Sequence, residues 1–133
     1  MTRTGRCYCG AIRFECHGEP QRVSLCHCRD CRLASGAPAT AWAAYAEGAL
    51  AVTQGAPKTV DRAGAVRRSF CGDCGSGLFY RNAEVLPGLV DVQSALFDDA
   101  AALAPREQVQ TAERLPWMAT AHALPSFERY PDA

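Results

Sequence analysis

Lysine is almost missing from this 133-residue chain: of its fourteen basic residues, thirteen are Arg and only Lys58 is Lys. Fourteen acidic residues bring the formal net charge to zero, so the broad positive field of a nucleic-acid binder is absent and no DNA or RNA partner is expected. The basic groups that do exist are planar forks suited to small carboxylate-bearing ligands. Long apolar runs are also lacking. Ala41 to Ala46, the most apolar stretch of the first half, falls far short of the about 18 residues of a membrane span, so no membrane association is expected. Met1-Thr2-Arg3-Thr4-Gly5-Arg6 leads into the first cysteines without the apolar segment of about 7–15 residues that marks a secretion signal, which predicts a cytoplasmic chain with reduced thiols. Low complexity is confined to Ala100 to Ala104 and nothing reads as a linker, so one domain over residues 1–133 is expected.

Cysteine, by contrast, is plentiful. Seven of the eight fall into three tight clusters: Cys7-Tyr8-Cys9, Cys26-His27-Cys28 with Cys31, and Cys71-Gly72-Asp73-Cys74. Thiols so spaced are metal ligands first, because zinc takes sulfurs at about 2.3 Å in a tetrahedron whose edge a single turn can span. Disulfides within the clusters would close strained rings, while bridges between clusters stay open on spacing alone and are opposed by a reducing compartment. Cys71-Gly72-Asp73-Cys74-Gly75 has the form of a zinc knuckle. Cys7 and Cys9, at i and i+2, are expected on one face of an extended segment that turns at Gly10. Two such pairs would make one closed, structural four-cysteine site.

The middle cluster offers three sulfurs, and its fourth ligand must come from elsewhere or from solvent. Three protein ligands and an open corner suit a catalytic zinc, with Cys26, Cys28 and Cys31 holding the working ion. The alternative is that Cys16 or His27 closes a second structural site. Cys16 alternates with Ile12 and Phe14 and reads as a core thiol. His27 lies between two ligands, so its ring should face away from the ion.

Period-two patterning and Gly or Pro punctuation predict mostly short strands, at Ala11 to Cys16, Arg22 to Leu25, Ala39 to Tyr45, Ala49 to Gln54, Lys58 to Asp61, Val66 to Phe70, Gly77 to Arg81, Leu89 to Gln93 and Arg106 to Thr111. This is a mainly β chain of antiparallel sheets. Val60 to Phe70 followed by Gly75 to Arg81 reads as a hairpin with Cys71 and Cys74 in its turn. Helix is expected only in short pieces, best at Asp98 to Leu103 with Asp98 or Asp99 capping the first turn. Ser35-Gly36 reads as a turn, and Leu115-Pro116-Trp117 and Leu124-Pro125-Ser126 as irregular chain.

The order Gly5-Arg6-Cys7-Tyr8-Cys9-Gly10-Ala11-Ile12-Arg13-Phe14, then Cys26-His27-Cys28-Arg29-Asp30-Cys31-Arg32 with Ser35-Gly36, then Phe70-Cys71-Gly72-Asp73-Cys74-Gly75, strongly resembles the glutathione-dependent formaldehyde-activating enzyme family, which also includes centromere protein V. Asp91-Val92, Leu96-Phe97-Asp98-Asp99 and Glu113-Arg114-Leu115-Pro116-Trp117 agree with the family's later segments. The resemblance implies a β-tent of packed antiparallel sheets, a structural zinc on Cys7, Cys9, Cys71 and Cys74, and a second zinc at Cys26, Cys28 and Cys31. It also implies the substrate pair, glutathione and formaldehyde, combined into S-hydroxymethylglutathione. Cys16 has no ligand role in that pattern, and this chain is shorter than expected of the glutathione-using member.

Smaller expectations attach to single residues. Arg29 and Arg32 beside the second site could receive a substrate carboxylate. Trp117 could cover a cleft, although packing on the sheet is the plainer role, and Trp42, Tyr45 and Phe79 could line a pocket, although the core is the commoner place for aromatic side chains in strands. Asp30 and His122 are conceivable proton carriers. Two function classes follow: a zinc-dependent carbon–sulfur lyase or thiol-adduct synthase acting on a small thiol and a small electrophile, and a noncatalytic zinc-stabilised module for binding a protein partner. Exposed strand edges would admit a homodimer without demanding one.

Overall fold

The computed structural model describes residues 1–131. It contains ten strands, β1 (Thr2–Arg6), β2 (Arg13–His17), β3 (Arg22–Cys26), β4 (Thr40–Ala46), β5 (Leu50–Gln54), β6 (Lys58–Arg62), β7 (Val66–Phe70), β8 (Gly77–Asn82), β9 (Leu89–Gln93) and β10 (Glu107–Val109), with one short α-helix, α1 (Arg29–Ser35). They form a three-stranded sheet in the order β1-β2-β5 and a seven-stranded sheet in the order β10-β3-β4-β9-β8-β7-β6. All pairings are antiparallel except β10 beside β3. The architecture is the expected mainly β tent of two packed sheets.

Side chains alternate faces along a strand, so the register sorts the large sheet into two surfaces. Val23, Ala43, Val92 and Phe79 form one cross-strand row and are buried against the small sheet. At the centre of that interface Phe14 of β2 meets Phe79 and Phe97 edge to face, with ring centroids 5.4 and 5.3 Å apart. Cys16 is fully buried in the same core, and burial pushes its thiol up to about 12, as befits an inert packing group. The neighbouring row, Arg22, Ala44, Asp91, Tyr80 and Arg68, lies on the opposite surface. α1 touches β4, and on the outer surface the side chains of Cys26, Cys31 and Trp42 make a second, smaller buried cluster.

Most strands fall within a residue or two of expectation, and β7 and β9 coincide with it. Four local features differ. β1 carries almost no apolar residue and shows no period; it forms because its backbone pairs in register with β2 over Thr2 to Arg6 and because Gly5 lets it lie on the Phe14 ring. α1 has only Cys31 buried and is capped by a thiol, Cys28 Sγ accepting the Cys31 N–H at 3.2 Å, so neither a helical stripe nor a usual capping residue announces it. The expected helix at Asp98 to Leu103 is a single 3₁₀ turn at Ala100–Leu103 without a side-chain cap. Asp98 instead accepts the Thr4 hydroxyl at 2.6 Å and so ties this turn to β1. Finally, Pro116–Ala123 is not featureless chain but 3₁₀ turns broken at Thr120.

Two predictions follow from the core. A Cβ at Gly5 would overlap the Phe14 ring and approach the Leu96 carbonyl to 2.8 Å, so Gly5→Ala should destabilise the fold by about 1–3 kcal/mol, read as a lowered denaturant midpoint. Cys16 should resist iodoacetamide in the folded protein and be carboxymethylated only when the chain unfolds; peptide mass mapping before and after denaturation checks it.

Candidate metal centres

Two tight turns bring the first sulfur group together. Residues 7–10 form a turn after β1 rather than an extended segment, with the Gly10 N–H donating to the Cys7 carbonyl at 3.2 Å. In the β7–β8 turn, the Gly75 N–H donates to the Cys71 carbonyl at 2.8 Å. Gly10 and Gly75 both have φ of 81°, a left-handed conformation that favours glycine, and each closes its turn around a sulfur. The four sulfurs of Cys7, Cys9, Cys71 and Cys74 all lie within 4.8 Å of one another. Cys7 to Cys9 measures 3.7 Å and Cys9 to Cys71 3.9 Å, matching the about 3.8 Å edge of a tetrahedron with zinc–sulfur bonds of about 2.3 Å.

The surrounding donors suit thiolates. The Ile12 N–H points at Cys7 Sγ over 3.3 Å, and the Ser76 hydroxyl lies 3.2 Å from Cys74 Sγ while its oxygen accepts the Tyr8 N–H at 3.0 Å. Ser76 thus links the two turns, a role with no signal in the sequence. Its hydroxyl is the main cause that draws the Cys74 thiol down to about 5. Cys9 moves the other way: the Ala11 N–H favours its thiolate, but burial and the neighbouring sulfurs outweigh that and push it up to about 12. Sulfurs packed this closely oppose one another's ionisation.

The second group is assembled from the end of β3 and the start of α1. Cys26 closes the strand, Cys28 caps the helix, and Cys31 sits in its first turn. These three sulfurs also lie within 4.8 Å of one another, with Cys31 to Cys26 at 3.8 Å. The contact between Cys26 and Cys31 is the first cause that takes the Cys31 thiol down to about 5, with Cys28 and Arg68 contributing, and the same contact is the first cause that raises Cys26. Among the described residues no fourth donor joins the group. Cys16 is in the opposite core, and His27, 1% exposed, holds its Nε2 2.8 Å from Gln108 Oε1.

The three-sulfur group opens into a cavity of about 570 Å³ on the outer surface of the large sheet. Trp42, Tyr80 and Val66 form its apolar wall, and Asp30, Asp91, Glu113, Arg22 and Arg68 supply its charge. Burial, with Cys31 adding to it against Arg22, pushes the Asp91 carboxyl up to about 6. Glu113 accepts the Arg29 N–H at 3.0 Å, fastening the later chain to the start of α1. Arg29 and Arg32 do not line this cavity, Trp117 stands 54% exposed away from it, and His122 is exposed in the same C-terminal turns. The arginines that face the cavity are Arg22 and Arg68, which come from β3 and β7 and whose positions depend on strand register. Trp42 belongs to the outer cluster, whereas Tyr45 and Phe79 lie in the main core.

Among the described residues no helix is long and apolar enough to cross a membrane. A Schizosaccharomyces pombe protein named as an uncharacterized lyase is 29% identical over 76 residues, covering 57% of this chain and 55% of that protein, so the chain matches little more than half the length of this curated relative. A crystal structure of a Rhodobacter sphaeroides protein superposes with a TM-score of 0.64 at 21% identity, covering 80% of this chain and 99% of that one, and supports the fold. The family model of the glutathione-dependent formaldehyde-activating enzyme matches residues 2–113. With its two sulfur groups, two-sheet tent and that match, the chain belongs to the glutathione-dependent formaldehyde-activating enzyme family.

Proposed function

We propose that this chain is a zinc-dependent carbon–sulfur lyase or thiol-adduct synthase, joining a small thiol such as glutathione reversibly to a small electrophile such as formaldehyde. In this reading residues 1–133 are one domain, Cys7, Cys9, Cys71 and Cys74 hold a structural zinc, and Cys26, Cys28 and Cys31 hold the working ion. The observation that carries it is the contrast between the two groups: one has four sulfurs, while the other has three and faces a cavity large enough for a small organic molecule. Family membership and the lyase name of the yeast relative point the same way.

Bound at the three sulfurs, zinc would supply the positive charge that favours a substrate thiol as its thiolate at neutral pH. The chain's own residues perform the rest. Asp91, whose carboxyl burial raises to about 6, accepts the proton leaving the substrate sulfur. The sulfur pair then forms the new carbon–sulfur bond as the carbonyl π pair moves to oxygen, and that oxygen takes the proton back from Asp91. The reverse sequence is the lyase direction. Trp42, Val66 and Tyr80 wall the reacting atoms from bulk water.

The direct test adds glutathione and ¹³C-formaldehyde to protein loaded with two equivalents of zinc and follows S-hydroxymethylglutathione by NMR. Catalysis above the solution rate is expected in the parent and not in Cys28→Ser, which should keep its fold and first ion and lose the second. Cys7→Ser should instead lose the structural ion and several kcal/mol of stability. A parent no faster than solution would leave the noncatalytic binding module as the better reading.

Asp91→Asn should slow turnover by about 10²-fold or more and abolish the rate limb near pH 6. Its effect on stability has the opposite sign. A carboxyl raised by burial favours the folded state when protonated and loses that contribution as pH rises through about 6. The Asn variant should therefore be more stable than the parent at pH 7, by on the order of 1–2 kcal/mol, and no more stable below about pH 4, measured by denaturant unfolding across that range.

A further inference from the structure

Charge in the three-sulfur cavity is out of balance. Three thiolates around a divalent ion leave a net negative charge, and Asp30, Asp91 and Glu113 line the same space. Two guanidinium groups face them. Arg22 is engaged elsewhere, its Nε and Nη2 donating to the two carboxylate oxygens of Glu107 at 3.2 and 2.5 Å. Arg68 forms no ion pair among the described residues, and its Nη2 instead points at Cys31 Sγ over 3.7 Å.

The sheet holds Arg68 in that pose. On β7 it stands directly opposite Tyr80 of β8, and its guanidinium carbon lies 4.7 Å from the centre of the Tyr80 ring. Tyr80 in turn packs beside Trp42, with ring centroids 6.1 Å apart, in the cluster that contains Cys26 and Cys31. One face of the guanidinium is thus covered by an aromatic ring while an edge N–H reaches the sulfur. Arg67, one position away on the other surface of the strand, makes an ordinary exposed ion pair with Asp61 at 2.8 Å. The two neighbouring arginines have different occupations because strand alternation sends them to opposite faces.

We infer that Arg68 is a positioning residue for the three-cysteine site: its charge-assisted N–H···S bond fixes the Cys31 sulfur and offsets the negative charge of the loaded site, strengthening retention of the second ion. This rests on the reading of the three cysteines as a metal site. A site with three thiolates and an open corner is exposed to displacement by free thiols, and a fixed cation beside one sulfur opposes loss of the ion without occupying the corner. Partners that orient a ligand from behind in this way typically alter metal affinity by about 10–100-fold when removed.

The test uses the full-length protein carrying Arg68→Met, which keeps an unbranched stem over Tyr80 but removes charge and donors, and Arg68→Lys, which keeps the charge alone. Zinc is competed away with a chelator, the four-cysteine ion serving as the internal reference. The Met variant should hold its second ion about 10–100-fold more weakly, the Lys variant should fall between, and the first ion should be unaffected. Cobalt substituted at the three-cysteine site should show a shifted thiolate-to-metal charge-transfer band in Arg68→Met and an unshifted one in Arg67→Met. Unchanged second-ion affinity with an unshifted cobalt spectrum overturns the inference and leaves the metal site standing. Equal weakening of both ions overturns it as well, reducing Arg68 to a support of the fold. A parent protein that takes up only one ion overturns both the inference and the reading beneath it.

Discussion

The four-sulfur group at the seam between the sheets constrains everything else. Cys7 leaves the edge strand of the small sheet and Cys71 leaves the hairpin of the large one, yet both are only 1% exposed and both belong to the main core. Thiols packed this closely cannot all ionise without a cation, since each thiolate raises the cost of the next. A dication held by the four sulfurs would remove that conflict and act as a clamp between the two sheets, since metal binding and folding are coupled in sites of this kind.

The two faces of the seven-stranded sheet serve different tasks. The inner face is used up by Val23, Ala43, Val92 and Phe79 against the small sheet. The outer face has no second sheet to cover it, and its row of half-buried Asp91, Tyr80 and Arg68 with the more exposed Arg22 faces a cavity instead of a core. Half-burial is what perturbs Asp91, and an aromatic neighbour is what fixes Arg68. A sheet edge or a loop would hold these groups less firmly, since neighbouring strands on both sides restrict their backbones.

Much of this was legible in the chain. Strands such as β7 and β9 show in the alternation of side chains and the glycines or prolines that end them, since both signals are local. The sulfur groups are legible for the same reason: a ligand pair in one turn is a statement about a few adjacent residues. β1 and α1 were hidden because neither has a periodic apolar face; the first is held by its pairing with β2 and the second by a thiol cap and one buried side chain. Arg29 and Arg32 stand beside Cys28 and Cys31 in the sequence, but a helix sends neighbours in different directions, and neither lines the cavity.

The amino-acid sequence by itself determined that this protein is mainly β, that its cysteines fall into groups able to hold a metal ion, and to which family it is similar, because each of these depends on residue type and short-range spacing. Only the tertiary structure decided which groups face the three-cysteine site. Ser76 and Arg68 carry no mark that separates them from other serines and arginines, and Asp91 is marked only by its family-like strand segment; their places arise when register, strand order and the packing of two sheets bring distant residues to within a hydrogen bond of a sulfur or into one half-buried cavity. Burial and electrostatic coupling depend on distance in space, and spacing along the chain sets that distance only within a turn or a strand.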